Sequence, residues 1–158
     1  MYDGAVIGSS PRMAICHGEL AFIKTLNNMI EQLWDLHIKD IQILTCKTLQ
    51  TSALSNESGG EIYLYKGIQI PFTTCRKFKG LEADAIILID LDADSLIKDE
   101  NKLGYVGASR ARHELFMIAS MNEDDCKSLL ELKEKKPGKN PEKTLAAQYN
   151  SKLVQFDS

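Results

Sequence analysis

The hydrophobic residues of this chain recur with two different periods, and the longer period predicts a helix over residues 19–37. Along this stretch, apolar side chains recur at steps of three and four residues, which places them on one face of a helix. They are Phe22, Ile23, Leu26, Met29, Ile30, Leu33 and Trp34. Polar side chains such as Lys24, Asn28 and Asp35 fall on the opposite face. The pattern therefore predicts a helix with one buried side.

Short apolar segments elsewhere predict the strands of a sheet. Residues 85–90 are nearly all apolar, which is typical of a strand covered on both faces, whereas Pro71 argues against a strand that is paired throughout. Strands are predicted over residues 4–8, 41–45, 61–65, 69–75, 85–90 and 115–119. Strands that alternate with amphipathic helices predict an α/β fold, with a mostly parallel sheet and helices on both faces.

Three further helices complete the predicted fold, over residues 47–58, 104–112 and 122–134. Asn122 is a suitable N-cap for the last of them, because its side chain can accept a backbone N–H bond of the first turn. The acidic residues that follow Asn122 are favoured there by the helix dipole.

The end of the chain has the composition of a linker followed by a tail. Residues 133–143 are polar and contain two prolines and a glycine, which argues against regular structure. We therefore predict one domain over residues 1–134, with a linker and C-terminal tail over residues 135–158. The last fifteen residues form a short element that packs back on the domain or reaches elsewhere.

Composition and charge limit the kinds of partner. The net charge is −3 and the isoelectric point about 5.6, whereas a protein that binds nucleic acid mainly by neutralising phosphates is usually basic. Contact with DNA or RNA must therefore depend on a few placed groups. No apolar run approaches the roughly 20 residues of a membrane span, so we expect no membrane partner and a cytoplasmic location. The four cysteines are scattered, which predicts reduced thiols and no zinc site.

Two polar segments next to predicted strands carry the candidate chemistry. Ligands of an open parallel sheet bind beyond the carboxyl ends of its strands, and we expect residues 74–82 and 105–112 to project from that edge. In the first segment, Gly80 lacks a Cβ and lets the backbone approach a ligand closely. Glu82 offers two acceptor oxygens that suit ribose hydroxyls. An ordinary turn glycine and a solvated glutamate are the alternatives for these two residues.

The second segment offers two arginines. A guanidinium is planar and always charged, so it can bind phosphate oxygens with two hydrogen bonds and stabilise charge that develops on a γ-phosphate. Two residues along a helix correspond to a rotation of about 200°. Arg110 and Arg112 therefore point in roughly opposite directions, and only one of them can face a phosphate.

The two segments together resemble motifs V and VI of the UvrD/PcrA/Rep class of superfamily 1 helicases. The chain reads Lys-Gly-Leu-Glu at residues 79–82, followed by an apolar strand, and Tyr-Val-Gly-Ala-Ser-Arg-Ala-Arg at residues 105–112. The resemblance covers about residues 4–120. It implies the C-terminal RecA-like motor domain of a DNA helicase, with the fold of phosphate-loop NTPases but without a phosphate loop of its own.

The resemblance also implies a role for each matching residue. Arg110 corresponds to the arginine finger, which reaches ATP held by the other motor domain and is worth about 10³ to 10⁵ in rate in related hydrolases. Gly80 and Glu82 correspond to nucleotide contacts. The residues that correspond to contacts with single-stranded nucleic acid are Thr74, Arg76 and Lys79. Arg112 is then structural or an exposed charge.

The implied cofactors are ATP and Mg²⁺ in the complete enzyme, and this domain alone is expected to bind neither. The implied partners are an N-terminal RecA-like domain that carries the phosphate loop and a single strand of DNA, with RNA also open. The isolated domain is therefore expected to be inactive.

Three features of the sequence bear on this assignment. The arginine that often follows the strand at residues 41–45 in this class is missing, and Lys47 stands nearby. The interval between Thr45 and Thr74 is too short for the accessory domain of the larger members. The missing arginine and the acidic isoelectric point favour the alternative, a non-catalytic α/β interaction module derived from a degenerate helicase domain. Residues 90–94 are acidic but lack the glycine and glutamate of a calcium-binding loop, so we expect a solvated loop and no metal site.

Overall fold

The computed structural model of the protein describes residues 12–45, 62–74, 82–91, 111–132 and 152–153. The strands are β1 (Arg12–Cys16), β2 (Ile41–Thr45), β3 (Ile62–Tyr65), β4 (Ile68–Thr74), β5 (Ala83–Leu91), β6 (Ala111–Ser120) and β7 (Lys152–Leu153). The helices are α1 (Glu19–Asp35) and α2 (Glu123–Leu132). Neither of these two helices has the length and apolar character needed to cross a membrane.

The strands form one sheet in the order β3-β4-β2-β5-β6-β1-β7. All neighbouring strands are parallel except β3 and β4, which form an antiparallel hairpin. Strands β2, β5 and β6 lie in the middle of the sheet, where the sequence is most apolar. The predicted α/β fold with a mostly parallel sheet is confirmed.

Helices cover both faces of the sheet, as the sequence predicts. On one face, α1 packs against a cluster that includes Ile87 and Phe116. On the other face, Leu129 and Leu130 of α2 pack in a second cluster with Leu88. Successive side chains of β5 point to opposite faces, so this strand contributes to both clusters and is buried along its length.

Both described helices begin where the sequence predicts. Helix α1 starts at Glu19 and stops at Asp35, two residues before the predicted end. His37 has a φ of 64°, in the left-handed region, which cannot continue a right-handed helix. Asn122 caps α2: its Oδ1 accepts a hydrogen bond from the Asp125 N–H (2.8 Å), and Asp125 Oδ2 accepts one from the Asn122 N–H (3.2 Å).

Strand β4 changes its partner at Pro71. The residues up to Pro71 pair with β3, and the residues from Phe72 to Thr74 pair with β2. A proline cannot donate a backbone hydrogen bond, so its position at the change of partner agrees with the prediction that this strand is not paired throughout.

A two-residue turn joins β3 to β4. Lys66 and Gly67 both have positive φ, 51° and 81°, and Tyr65 pairs directly with Ile68. Two successive residues with positive φ are typical of the type I′ turn, whose twist matches that of the flanking strands. The turn therefore fixes the register of the hairpin.

Side-chain contacts attach this hairpin to α1. The Tyr65 hydroxyl donates to Glu31 Oε2 (2.5 Å), and Lys66 Nζ lies 3.1 Å from the same oxygen. The Tyr65 ring also stacks on Trp34 of α1, with centroids 5.6 Å apart. The hydrogen bond from Tyr65, and then that from Lys66, lowers the pKa of Glu31 below its ordinary value of 4.5.

We expect Glu31→Gln to lower the melting temperature slightly at neutral pH, because the amide lacks the charge that Tyr65 and Lys66 bind. A carboxyl whose folded-state pKa is depressed stabilises the fold above its ordinary pKa, and that contribution is lost as the pH falls through the folded-state value. Melting curves of wild type and variant should therefore converge between about pH 7 and pH 3. The exposed Glu131→Gln serves as the control. A difference that is constant across this range would contradict the expectation.

The structure corrects the predicted helix at residues 104–112 and one strand. Ala111 and Arg112 belong to β6, so Arg112 is in a strand and β6 begins four residues before the predicted strand. Residues 104–110 lie outside the described ranges, as do the predicted strand at residues 4–8 and the predicted helix at residues 47–58. The pattern did not predict β1, which begins with the charged Arg12.

The tail includes a strand, β7, which pairs in parallel with the start of β1. Of the two alternatives for the last fifteen residues, the described part packs back on the sheet. The division into residues 1–134 and 135–158 stays a prediction.

Candidate functional site

The structure describes two of the six residues predicted to contact nucleotide or nucleic acid. Thr74 is the last residue of β4 and is half-buried, and Glu82 directly precedes β5 and is exposed. The predictions that lie outside the described residues are those for Arg76, Lys79, Gly80 and Arg110.

Thr74 and Glu82 lie at opposite edges of the sheet. Because β2, β4, β5 and β6 are parallel, their first residues define one edge, here the amino edge, and their last residues define the carboxyl edge. Thr74 lies at the carboxyl edge, as predicted. The expectation that Glu82 projects from the same edge is wrong, because the chain must return to the amino edge before the next parallel strand begins.

Contacts with neighbouring strands fix the start of β5 at the amino edge. Ala83, the residue after Glu82, pairs with Ala111, the first residue of β6. The carboxylate of Asp40 accepts a hydrogen bond from the backbone N–H of Asp84 (3.2 Å). The backbone that carries Glu82 is thus held from both sides, by β6 and by the residue that precedes β2.

Polar side chains at the ends of three neighbouring strands form a row at the carboxyl edge. Thr74 of β4 pairs with Thr45 of β2, and Thr45 Oγ1 donates a hydrogen bond of 2.5 Å to Asp90 Oδ2 of β5. We call Thr74, Thr45 and Asp90 the carboxyl-edge row. Asp90 has a φ of 65° and lies in a β-bulge between Leu88 and Leu91, where the register with β6 shifts. The bulge interrupts the regular alternation of β5 at its last residues.

The two edges are well separated. Thr74 is aligned through Thr45 with Ile89, which lies six residues beyond Ala83 on β5. With a rise of about 3.3 Å per residue and a strand spacing of about 4.8 Å, Thr74 and Ala83 lie on the order of 20 Å apart. One small ligand cannot contact both, so Thr74 and Glu82 cannot line the same small site.

Next to Thr74, the hydroxyl of Thr73 is buried and has no hydrogen-bond partner within the part of the chain that the structure describes. We expect Thr73→Val to raise the free energy of unfolding by about 1 kcal/mol, because it removes an orphan polar group at nearly constant shape. The matched control is Thr45→Val, which deprives the buried Asp90 carboxylate of a donor and should lower that free energy by about 1–3 kcal/mol. Urea denaturation measures both. Equal destabilisation by the two variants would contradict the expectation.

The sequence did not identify Asp90 as a buried residue. It was expected in a solvated loop, yet its side chain is only 4% exposed. A charged residue directly after five apolar strand residues is the signal that could have found it, since the strand continues through Asp90 to Leu91.

Other reactive groups in the described ranges do not form a site. Burial raises the pKa of the Cys16 thiol to about 11, so this cysteine is protonated at neutral pH and packs as an apolar residue. Within the described ranges, no three His, Cys, Asp or Glu side chains come together as metal ligands.

Comparison with known proteins finds similarity to a helicase domain. Residues 70–118 match the family model of the UvrD-like helicase C-terminal domain, and this stretch contains β5 and most of β6. The fold is similar to that of the C-terminal domain of a possible DNA helicase from Lactobacillus plantarum WCFS1, with a TM-score of 0.57 and 21% sequence identity over 72% of this chain and 75% of that chain. No curated protein matches the sequence. The resemblance to the UvrD/PcrA/Rep class and the RecA-like fold are confirmed.

Proposed function

We propose, from the match of residues 70–118 to the UvrD-like helicase C-terminal domain, that this chain is the C-terminal motor domain of an ATP-dependent DNA helicase or translocase. In this proposal the amino edge completes an ATP site that the other motor domain begins, and the carboxyl edge contacts single-stranded DNA. No contact among the described residues favours the alternative, a non-catalytic interaction module.

The pairing of Ala83 with Ala111 carries the proposal for the nucleotide side. Glu82 and Arg110 directly precede these two residues in the sequence. Paired strands lie about 4.8 Å apart, so the first residues of β5 and β6 are neighbours at the amino edge. In this proposal, the long side chains of Glu82 and Arg110 contact the two ends of one nucleotide.

The residue types suit the two ends of ATP. Arg110 would bind the γ-phosphate and stabilise the charge that develops there during transfer to water. Glu82, which is exposed, would accept hydrogen bonds from the ribose hydroxyls. Gly80 would let the backbone approach the nucleotide. The phosphate loop and the Mg²⁺ ligands would come from the N-terminal motor domain, since this sequence has no phosphate-loop motif.

The carboxyl edge has the chemistry for a nucleic-acid backbone. Thr74 supplies a hydroxyl at the end of β4, and Arg76 and Lys79 follow it in the sequence. Hydroxyl, guanidinium and ammonium groups are common partners of phosphate oxygens and carry no sequence preference. The stretch from Thr74 to Glu82 connects the two edges, so this short segment would join the nucleic-acid site to the nucleotide site. Closure of the two motor domains on ATP would then change the grip on the strand.

The test compares this chain alone with the complete protein that includes the phosphate-loop domain. We expect no measurable ATP hydrolysis by the chain alone, because it supplies only part of the site. The complete protein should hydrolyse ATP faster when single-stranded DNA is added, as measured by phosphate release. Robust turnover by the chain alone would refute the half-site, and a complete protein indifferent to single-stranded DNA would refute the nucleic-acid edge.

A further inference from the structure

We infer that Asp90 is a positioning residue for the nucleic-acid edge: its carboxylate fixes Thr45, and Thr45 in turn fixes the side chain of Thr74. The inference rests on the proposed function of the carboxyl edge. It adds a residue that contacts neither nucleotide nor nucleic acid but sets the geometry of one that does.

The backbone of Asp90 is in an unfavourable conformation. Its φ of 65° is in the left-handed region, which residues with a Cβ adopt much less readily than glycine, although aspartate and asparagine tolerate it better than most. A glycine would form the same bulge without this disadvantage.

The side chain of Asp90 is also in an unfavourable environment. The residue is 4% exposed at the end of an otherwise apolar strand. A buried carboxylate loses its hydration, which hydrogen bonds to the protein recover only in part. Two unfavourable features at one residue, which contacts the neighbour of a candidate binding residue, indicate that the carboxylate is retained for function.

The contact with Thr45 explains what the carboxylate does. A threonine hydroxyl has one proton, and in Thr45 it is donated to Asp90 Oδ2. Thr45 is aligned with Thr74 at a strand spacing of about 4.8 Å. The α1 face of the sheet takes alternate residues of both strands, including Ile43 and Phe72, and the same alternation puts Thr45 and Thr74 on that face. Without the Asp90 carboxylate, the Thr45 hydroxyl is able to rotate. It can then hydrogen-bond to the hydroxyl of Thr74 and compete with the nucleic acid for it.

The direction in which DNA affinity changes when Asp90 is removed distinguishes a positioning role from simple electrostatic repulsion. A carboxylate near a phosphate backbone repels it, so removal of a merely neighbouring negative charge strengthens DNA binding. If Asp90 positions Thr74 through Thr45, its removal weakens binding instead.

The experiment uses the complete protein without nucleotide and a fluorescein-labelled single-stranded oligothymidylate, with affinity measured by anisotropy. Asp90→Gly keeps the backbone conformation accessible and removes the carboxylate, and we expect it to weaken binding about tenfold. Asp90→Asn keeps an acceptor for Thr45 and tolerates the same φ, so its affinity should stay within about twofold of wild type. Thr45→Val should weaken binding as Asp90→Gly does. The double variant should be no weaker than either single variant, because both break one contact.

Every other outcome contradicts either the positioning role of Asp90 or the proposed nucleic-acid edge. Wild-type or tighter binding by Asp90→Gly, or a double variant whose losses add, refutes the positioning role of Asp90. If Asp90→Gly fails to fold, the comparison of Asp90→Asn with Thr45→Val decides, and equal weakening by the two variants refutes it. If the wild-type protein does not bind the oligonucleotide, the proposed nucleic-acid edge fails and the inference fails with it. The wild-type measurement thus separates the two failures.

Discussion

Replacement of Arg110 by alanine in the complete protein is expected to reduce DNA-stimulated ATP hydrolysis by roughly three orders of magnitude or more, because an arginine finger is worth about 10³ to 10⁵ in rate in related hydrolases. The guanidinium would stabilise charge that appears on the γ-phosphate only in the transition state, so the loss should fall on kcat more than on KM. Steady-state phosphate release at saturating single-stranded DNA measures the change.

Two matched variants make this result specific. Arg110→Lys keeps the charge but not the planar two-point contact, so it should recover only part of the rate. Arg112→Ala removes a second arginine two residues away in β6 and should retain most of the activity. The melting temperature of each variant shows whether folding is intact. A well-folded Arg110→Ala protein with the wild-type rate would favour the non-catalytic interaction module instead.

Phe116→Ala is expected to cost about 3–5 kcal/mol of unfolding free energy, because it leaves a cavity in the middle of the sheet. Phe116 is fully buried in the cluster beneath α1, and Arg12 lies over its ring at 5.6 Å. Since a domain of ordinary stability has only about 5–15 kcal/mol in total, the variant should be partly unfolded near body temperature. Chemical denaturation followed by circular dichroism measures the loss.

The control for Phe116→Ala is Leu64→Ala on β3. Leu64 is 60% exposed, so the truncation leaves no cavity, and a change within about 0.5 kcal/mol is expected. Comparable losses for the two variants would mean that the α1 side of the sheet is not the close-packed core described above.

Elements with strong local patterns could be predicted from the sequence. The three- and four-residue steps from Phe22 to Leu33 gave α1, and the uninterrupted apolar stretch of β5 indicated burial on both faces. Both signals are local, because a buried face needs apolar side chains at the period of the element.

The position of the candidate residues at the sheet edges could not be read from local pattern. Glu82 was expected at the same edge as Thr74 because both belong to one polar segment between two predicted strands, yet a parallel crossover carries the chain to the other edge. The strand at Arg112 was missed because the sequence Ala-Ser-Arg-Ala-Arg favours a helix locally, while pairing with β5 makes it a strand. Asp90 was missed because its hydrogen-bond partner, Thr45, is 45 positions away in the sequence.

Strand β5 has a mechanical consequence. It runs from Ala83 beside the amino edge to the bulge at Asp90, between two buried apolar clusters that α1 and α2 cover. Close-packed interiors are nearly incompressible and transmit displacement rather than absorb it. The nine residues of β5 therefore form a stiff connection between the two edges. In the proposed function, a displacement at the nucleotide edge would move the nucleic-acid edge by about the same amount. A motor of the proposed kind would therefore take its step by movement of the whole domain, without bending β5.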